Sequence, residues 1–426
     1  MTGLCFFACS LALASTYLTS PTVQDADPAT SRPTFDRRAA WTEFESTVRF
    51  RYAYLGRAPG NADVLFDRAA EQAAAASSTA AFRRVLQAVG YAFRDPHFVV
   101  GPMSANDANV IPTSSDMVAS WRDARAVVQD VRRGSAADVA GVRPGWVIVS
   151  IDGQDIRDRA LDLLCGIVLE PSQPVLEYAA TVAINGRRAG TRTLVFRRGG
   201  EEVILKLPSP REHAKSFLQG PLWNYKRIGG IGVIRLRNSL GNNGLIQGFD
   251  EAIRAAHDTQ GVVLDLRNTP SGGNTEVARS IIGHFIDQVR SYQVHQIPSF
   301  EREFGVPRSF VEQVHPREPR YDKPFVVLAG QWTGSMGEGI VIGLDAAANA
   351  VTVASDMGDL LGGIHGYDLP LAGLRLELGD EALFHVNGKP REDFVADVEL
   401  VAADRDPNGE DPGLKAALTQ LKNWPR

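Results

Sequence analysis

Ser335 stands in the stretch GQWTGSMGEG, residues 330–339, among four glycines. An apolar run, PFVVLAG, leads into it and a second, IVIGLDAAANA, leads away. Between them the apolar spacing passes from that of a strand to that of a helix. A helix starting near Ser335 leaves its first backbone N–H groups without intrahelical partners. It also turns the positive end of its dipole into the turn. A serine hydroxyl held there is exposed, and the N–H of Met336 can face the oxygen of a carbonyl that Ser335 attacks. The stretch LDLRNTPSGGNT, ending at Thr275, is a second strand that runs through a glycine-bearing turn into a helix. Gly272 and Gly273 allow close backbone approach and can offer a second N–H; Gly272 is the choice for that donor. Two N–H groups aimed at one oxygen are what acyl transfer requires.

Plainer readings exist for each feature. Glycine-rich turns after strands also bind phosphate, or nothing, and serine at a helix start is commonly a cap. No Walker lysine follows either turn, which excludes a P-loop. Thr333 occupies the place of the first glycine in the nucleophile-elbow pattern of α/β-hydrolases. The eight histidines are scattered singly and no HExxH occurs, so neither a metal nor a cofactor is expected. Asp265 ends a buried-type strand and reads as structural.

The elements that must position these residues fall into three regions, in line with about three domains of ~150 residues for a chain of 426. In the first, residues 35–105, Trp41, Phe44, Val48, Tyr52 and Leu55 recur at helical spacing, as do Phe82, Val85, Leu86, Val89 and Phe93. Pro96 then breaks the helix and a strand-like run follows. In the second, residues 116–208, a strand over Val127 to Val131 leads to a Gly-Ser turn. A short alanine-rich helix stops at Gly141, and PGWVIVSIDGQDI gives a strand with an Asp-Gly hairpin turn. The segments GSAADVAGVRPG and VIVSIDGQDI resemble a PDZ domain, with Trp146 where an acidic residue is usual. PDZ domains commonly take an extended peptide as an added strand; a scaffold PDZ that positions its neighbour and binds nothing is the alternative. The third region, residues 226–426, alternates strand and helix and argues an α/β domain.

GVVLDLRNTPSGG followed by VVLAGQWTGSMGEG resembles the core of the tail-specific (C-terminal processing) serine proteases and their tricorn relatives. The order helical segment, PDZ, α/β core is also theirs, and the resemblance covers about residues 40–420. It implies a spiral α/β core like that of ClpP and the crotonases, with Ser335 as nucleophile. One branch of that family pairs the serine with a downstream lysine, but none occurs between Ser335 and Lys389, and the corresponding region reads VTVASDMGDLLGG. The tricorn-like branch uses Ser, His and Glu, with the histidine ahead of the PDZ in a D.H motif. FRDPHFVV supplies it in Asp95 and His97, and GKPREDFVADVEL offers Glu392, with Ala396 in place of the usual proline and Asp397 at the acid position. On this reading His97 takes the proton of Ser335 and returns it to the leaving amine, while Glu392 orients the imidazole. His365, in LLGGIHGYDLP, is the alternative base, and Glu338 braces the helix start.

The resemblance makes the chain a serine endopeptidase acting on peptides or unfolded protein tails. Two rivals stand beside it: an inactive peptide-binding homologue, and a crotonase-like acyl-transfer enzyme. A net charge of −5 gives no basic footprint for nucleic acid. Residues 1–24 read as a signal peptide, though no Lys or Arg precedes the apolar run; secretion or a periplasmic location is then expected. That run is too short for a stable membrane span. With Cys5 and Cys9 in the leader, Cys165 is left alone on an apolar stretch, where a small core residue is expected. An oligomer is compatible with the sequence.

Overall fold

The computed structural model describes residues 35–217 and 219–424, so the leader lies outside the described residues. Among them no helix is long and apolar enough to cross a membrane.

Three helices, Arg37–Arg51, Ala62–Ala75 and Thr79–Phe93, open the described chain. Asp36 and Ser78 cap the first and third by accepting backbone N–H groups of the first turn. The aromatic residues at helical spacing meet in one cluster: Tyr52 lies edge-on to Phe93 with ring centroids 5.0 Å apart, and Phe44 edge-on to Phe98 at 6.0 Å. Arg94 ends the third helix in the left-handed region, φ 57°. Apart from Val64, Leu65 and Phe66 the middle helix is alanine and polar residues, which is why its apolar stripe is faint in the sequence.

The second region is an antiparallel sheet in the order Met117–Arg122, Arg125–Val131, Val147–Ile151, Thr191–Arg198, Glu201–Pro208. Asp152 and Gly153 both have positive φ, as a two-residue hairpin turn requires. Trp146 is buried edge-on against Phe196, at 5.7 Å between centroids, so its side chain is a core group rather than a ligand contact. Cys165 departs from expectation. It follows the helix Ile156–Leu163 with φ 49° and is only half-buried, because the chain turns outward there.

The third region holds a sheet in the order Val398–Glu399, Val351–Ala354, Phe325–Ala329, Gly261–Asp265, Ile231–Leu236, Trp223–Ile228, parallel except for the last pair. Its central strands are buried on both faces, which explains their unbroken apolar runs. Val262, Leu264 and Val327 face the helices Gly244–Ala256, Thr275–Gly283 and Met336–Ala348, while Val263, Val326 and Leu328 face the helix Pro412–Lys422. A second sheet runs Val99–Gly101, Leu374–Phe384, Arg290–Gln296, Ser309–Val314, with Gly363–Leu369 also paired to Leu374–Phe384. The helix Met336–Ala348 packs against strands of both sheets, Arg290–Gln296 of the second and Phe325–Ala329 and Val351–Ala354 of the first, in a mixed α/β arrangement. The parallel strands are marked in the sequence by apolar runs, whereas this second sheet has a mixed polar texture and no long apolar run. It matters for the site, because Val99–Gly101 pairs antiparallel with Leu374–Phe384, Val99 opposite Glu377. That pairing carries the chain just after His97 onto the core.

Candidate active site

Two loops at the carboxyl ends of neighbouring parallel strands are laced together. Thr269 N–H donates to the Trp332 carbonyl (3.0 Å), and Gly334 N–H to the Thr269 carbonyl (3.1 Å). Thr333 Oγ1 donates to the Leu266 carbonyl (3.0 Å) and accepts from Gly330 N–H (3.1 Å). The threonine that breaks the hydrolase elbow pattern is thus the clasp between the loops. Trp332, fully buried, donates its indole N–H to Ser115 Oγ (2.9 Å) and fixes the loop against the chain ahead of the β-rich region.

From this clasp Ser335 emerges at φ 53°, ψ −113°, immediately before the helix Met336–Ala348. Such a conformation costs a non-glycine residue about 1–3 kcal/mol and persists only where its surroundings impose it. Glu338 does part of this by accepting the Ser335 N–H, as expected of a brace. Gly272, at φ +64°, is packed onto the serine: a Cβ there would lie 2.3 Å from Ser335 Cβ, 2.6 Å from its Oγ and 3.0 Å from Met336 N. Its own N–H makes only a long bond, 3.4 Å, to the Thr269 carbonyl. Gly273 is pressed instead against the Leu240 backbone, 2.2 Å from a Cβ, which favours Gly272 as the residue beside the reacting oxygen.

His97 lines the same cleft as Ser335 and Gly272, a space of about 770 Å³ that also touches Ile111, Leu222 and Leu360. The imidazole is buried, and its Nδ1 lies 3.0 Å from the Leu361 carbonyl. A carbonyl only accepts, so the proton sits on Nδ1 and Nε2 keeps its lone pair. Burial pushes the His97 pKa down to about 4, against the opposing pull of the Leu361 bond, so the ring is neutral near pH 7. Among the described residues no hydrogen bond joins Ser335 Oγ to His97; catalytic bonds are often long before substrate arrives.

Asp95, two residues earlier, is buried and gathers three donors. Its Oδ1 accepts His97 N–H (2.8 Å) and Leu361 N–H (3.3 Å), and its Oδ2 accepts from the Tyr52 hydroxyl (2.9 Å). Burial pushes its pKa up to about 7. The segment Leu360–Gly362 therefore holds His97 both directly, through the Leu361 carbonyl, and through Asp95. It also reaches Ser335, since Leu360 N–H donates to Glu338 Oε2 (3.3 Å), the same oxygen that accepts the Ser335 N–H. Arg391, buried, donates to the Leu360 carbonyl and lies 3.7 Å from Glu338 Oε2. Burial raises Glu338 to about 8, with Arg391 opposing the shift. Leu361, Arg391 and the anchoring role of Asp95 were missed in the sequence. The only signal was that DLLGG occupies the place where the lysine branch carries its base.

Two expectations do not match this geometry. Glu392 was expected to hold the imidazole, but its nearest charged partner is Arg57, at 3.6 Å, and the Nδ1 position is filled by Leu361. The short 3₁₀ turn Arg391–Asp393 sends Arg391 inward to the Leu360 segment and leaves Glu392 on the Arg57 side. His365 is tied by Nδ1 to Asp380 (2.6 Å) on the second sheet, its side chain is 59% exposed, and it does not line the cleft that holds Ser335. Asp265 is structural as expected, buried against Arg267 (2.9 Å), which holds its carboxyl well below the usual range. Among the described residues no group of His, Cys, Asp and Glu is placed to hold a metal.

Comparison with known proteins fits this constellation. Residues 230–368 match the model of peptidase family S41, and residues 105–175 that of the PDZ domain. The S41 match takes in about a third of the chain. Ser335, Gly272 and the Leu360–Gly362 segment all lie within that S41 match. A "Probable CtpA-like serine protease" of Staphylococcus aureus (strain N315) is 31% identical over 163 residues, 38% of this chain and 28% of the relative. Its counterpart in Staphylococcus haemolyticus (strain JCSC1435) is 27% identical over 168 residues, 39% and 29% of the two chains. The match thus spans less than a third of those relatives' length. In fold, the chain is similar to mature CPAF, with a TM-score of 0.62 at 15% identity over 91% of this chain and 98% of that one. It is also similar to the photosystem II D1 C-terminal processing protease, with a TM-score of 0.51 at 14% identity over 90% and 97%. His97 lies ahead of both family matches, on the segment that the pairing of Val99–Gly101 with Leu374–Phe384 brings to the α/β core.

Proposed function

We propose that the chain is a serine peptidase that cleaves peptide bonds through an acyl-enzyme on Ser335, with His97 as general base. The observation that carries this is the pairing of a strained, helix-start serine with a buried neutral histidine in one cleft, the histidine's Nδ1 proton already committed to Leu361. Ser335 Oγ attacks the scissile carbonyl while its proton passes to His97 Nε2. The oxyanion is received by Met336 N–H, with Gly272 N–H as second donor once it leaves its long bond to Thr269. His97 then returns the proton to the leaving amine, and water repeats the sequence on the acyl ester. The Leu361 carbonyl takes the orienting part expected of Glu392. A carbonyl bears no full charge, so this Ser-His pair resembles the tricorn-like branch in its base and differs in what orients it.

The substrate class is an extended or unfolded polypeptide, since an open cleft of about 770 Å³ with apolar and polar walls suits a chain rather than a small molecule. The signal-like run expected over residues 1–24 would carry this action outside the cytoplasm. A peptide-binding homologue without hydrolysis is the second reading, favoured by the absence of a Ser335–His97 bond among the described residues. Hydrolysis of casein decides between them. Wild type is expected to release peptides and Ser335→Ala to release none; equal release by both would defeat the nucleophile assignment, and none from wild type would favour the second reading.

A further inference from the structure

The strand Met117–Arg122 is one edge of the PDZ-region sheet. An edge strand presents a row of unpaired N–H and C=O groups, and a PDZ domain takes a peptide by pairing it with such a row. Here the row is already filled by one helix, Gln173–Ile184, and its cap residue Asn185. Asn185 Nδ2 donates to the Met117 carbonyl (2.9 Å). Thr181 Oγ1 accepts Ala119 N–H (3.0 Å) and donates to the Ala119 carbonyl (3.3 Å). Glu177 Oε1 accepts Trp121 N–H (2.7 Å), and Gln173 Nε2 donates to the Trp121 carbonyl (3.0 Å).

The spacing makes this a ladder rather than a set of accidents. Residues 173, 177, 181 and 185 are four apart and share one helix face. Met117, Ala119 and Trp121 are two apart and point their backbone groups to one side. Four helical residues advance about 6 Å and two strand residues about 6.6 Å, so helix and strand stay in step over three rungs. The other faces of the helix are locked down, with Val175, Leu176, Ala179, Ala180 and Ile184 buried in the core of the sheet. The space left beside the ladder, between Val118, Glu177 and Tyr178, is about 230 Å³, below the ~300 Å³ at which small-molecule sites begin.

We infer that the helix Gln173–Ile184 is a built-in occupant of the peptide edge of the PDZ module, so that no substrate tail is added to the strand Met117–Arg122. Polypeptide then reaches Ser335 through the cleft alone; this last step rests on the peptidase reading, whereas the sealed edge does not.

Residue-resolved hydrogen exchange on the full chain carrying Ser335→Ala, with and without excess casein, tests it. The amides of Ala119 and Trp121 are expected to exchange at least ~100-fold more slowly than free peptide, and at the same rate when casein is added. In the same chain, adding Glu177→Ala and Thr181→Val is expected to raise their exchange at least ~10-fold. Fast exchange in the parent, slowing by casein at either amide, or no response to the double change would each overturn the inference. If casein leaves residues 333–336 unaffected as well, the substrate reading fails while the sealed edge stands on the exchange rates.

Discussion

Ser335 and His97, the proposed nucleophile and base, are held by different kinds of structure. Ser335 is set locally. Its strand, turn and helix are contiguous, and the loop that clasps it belongs to the neighbouring parallel strand. His97 is set at long range: its imidazole is held by Leu361, 264 residues away, and the Asp95 that anchors its backbone is bonded to Tyr52, 43 residues earlier. A reactive serine can thus be written into one short stretch, whereas a base supplied from another region needs buried carboxylates and backbone carbonyls to fix it. Here the segment Leu360–Gly362 is where the two kinds meet, through Glu338 on one side and Asp95 on the other.

The difference can be broken from either side. On the local side, Gly272→Ala puts a methyl 2.3 Å from Ser335 Cβ at a positive φ. It is expected to lower kcat by ~10³-fold, the range lost with an oxyanion donor, with the fold intact by circular dichroism. A loss under tenfold would remove Gly272 from the reacting centre. On the long-range side the pH profile is the sharper probe. Protonation of His97 removes the base, and burial places that event near pH 4 rather than at the ordinary 6.5. At pH 5 kcat/KM is then expected to keep about nine-tenths of its plateau, where an unperturbed histidine would leave about 3%. Burial also pushes Asp95, which anchors His97, up to about 7, so a limb at 6.5 that persists in Asp95→Asn would show that His97 is solvated in the working enzyme.

Asp95→Asn keeps the size of the side chain but weakens the acceptor that holds His97 N–H and Leu361 N–H. A ~10-fold fall in kcat with KM nearly unchanged is expected, together with a displaced acid limb, which a purely structural loss would not produce. Glu392→Gln is expected to change kcat/KM by less than ~3-fold, because its carboxylate faces Arg57 and the His97 Nδ1 position is already filled by the Leu361 carbonyl. A loss of a hundredfold or more would return Glu392 to the orienting role.

What was legible in the sequence follows the same division. The strands around Asp265 and Leu328 announce themselves as unbroken apolar runs, because parallel strands are buried on both faces. Ser335, Met336 and Gly272 could be named because turn glycines and a helix start leave marks within ten residues. His97 could be named only through a resemblance. Nothing in RDPHF says that a strand pairing with Leu374–Phe384 carries it to the core. Leu361 contributes a backbone carbonyl, which no residue type encodes. Arg391 was passed over for its neighbour Glu392, since which of two adjacent charged residues turns inward depends on a 3₁₀ turn three residues long.

The central claim is that Ser335 is a nucleophile activated by His97, and the rate of its modification by a fluorophosphonate tests that most directly. One adduct per chain is expected, on Ser335, absent in Ser335→Ala, formed at least ~100-fold more slowly in His97→Ala and at the wild-type rate in His365→Ala. An unmodified wild type, or equal rates in wild type and His97→Ala, would contradict the account.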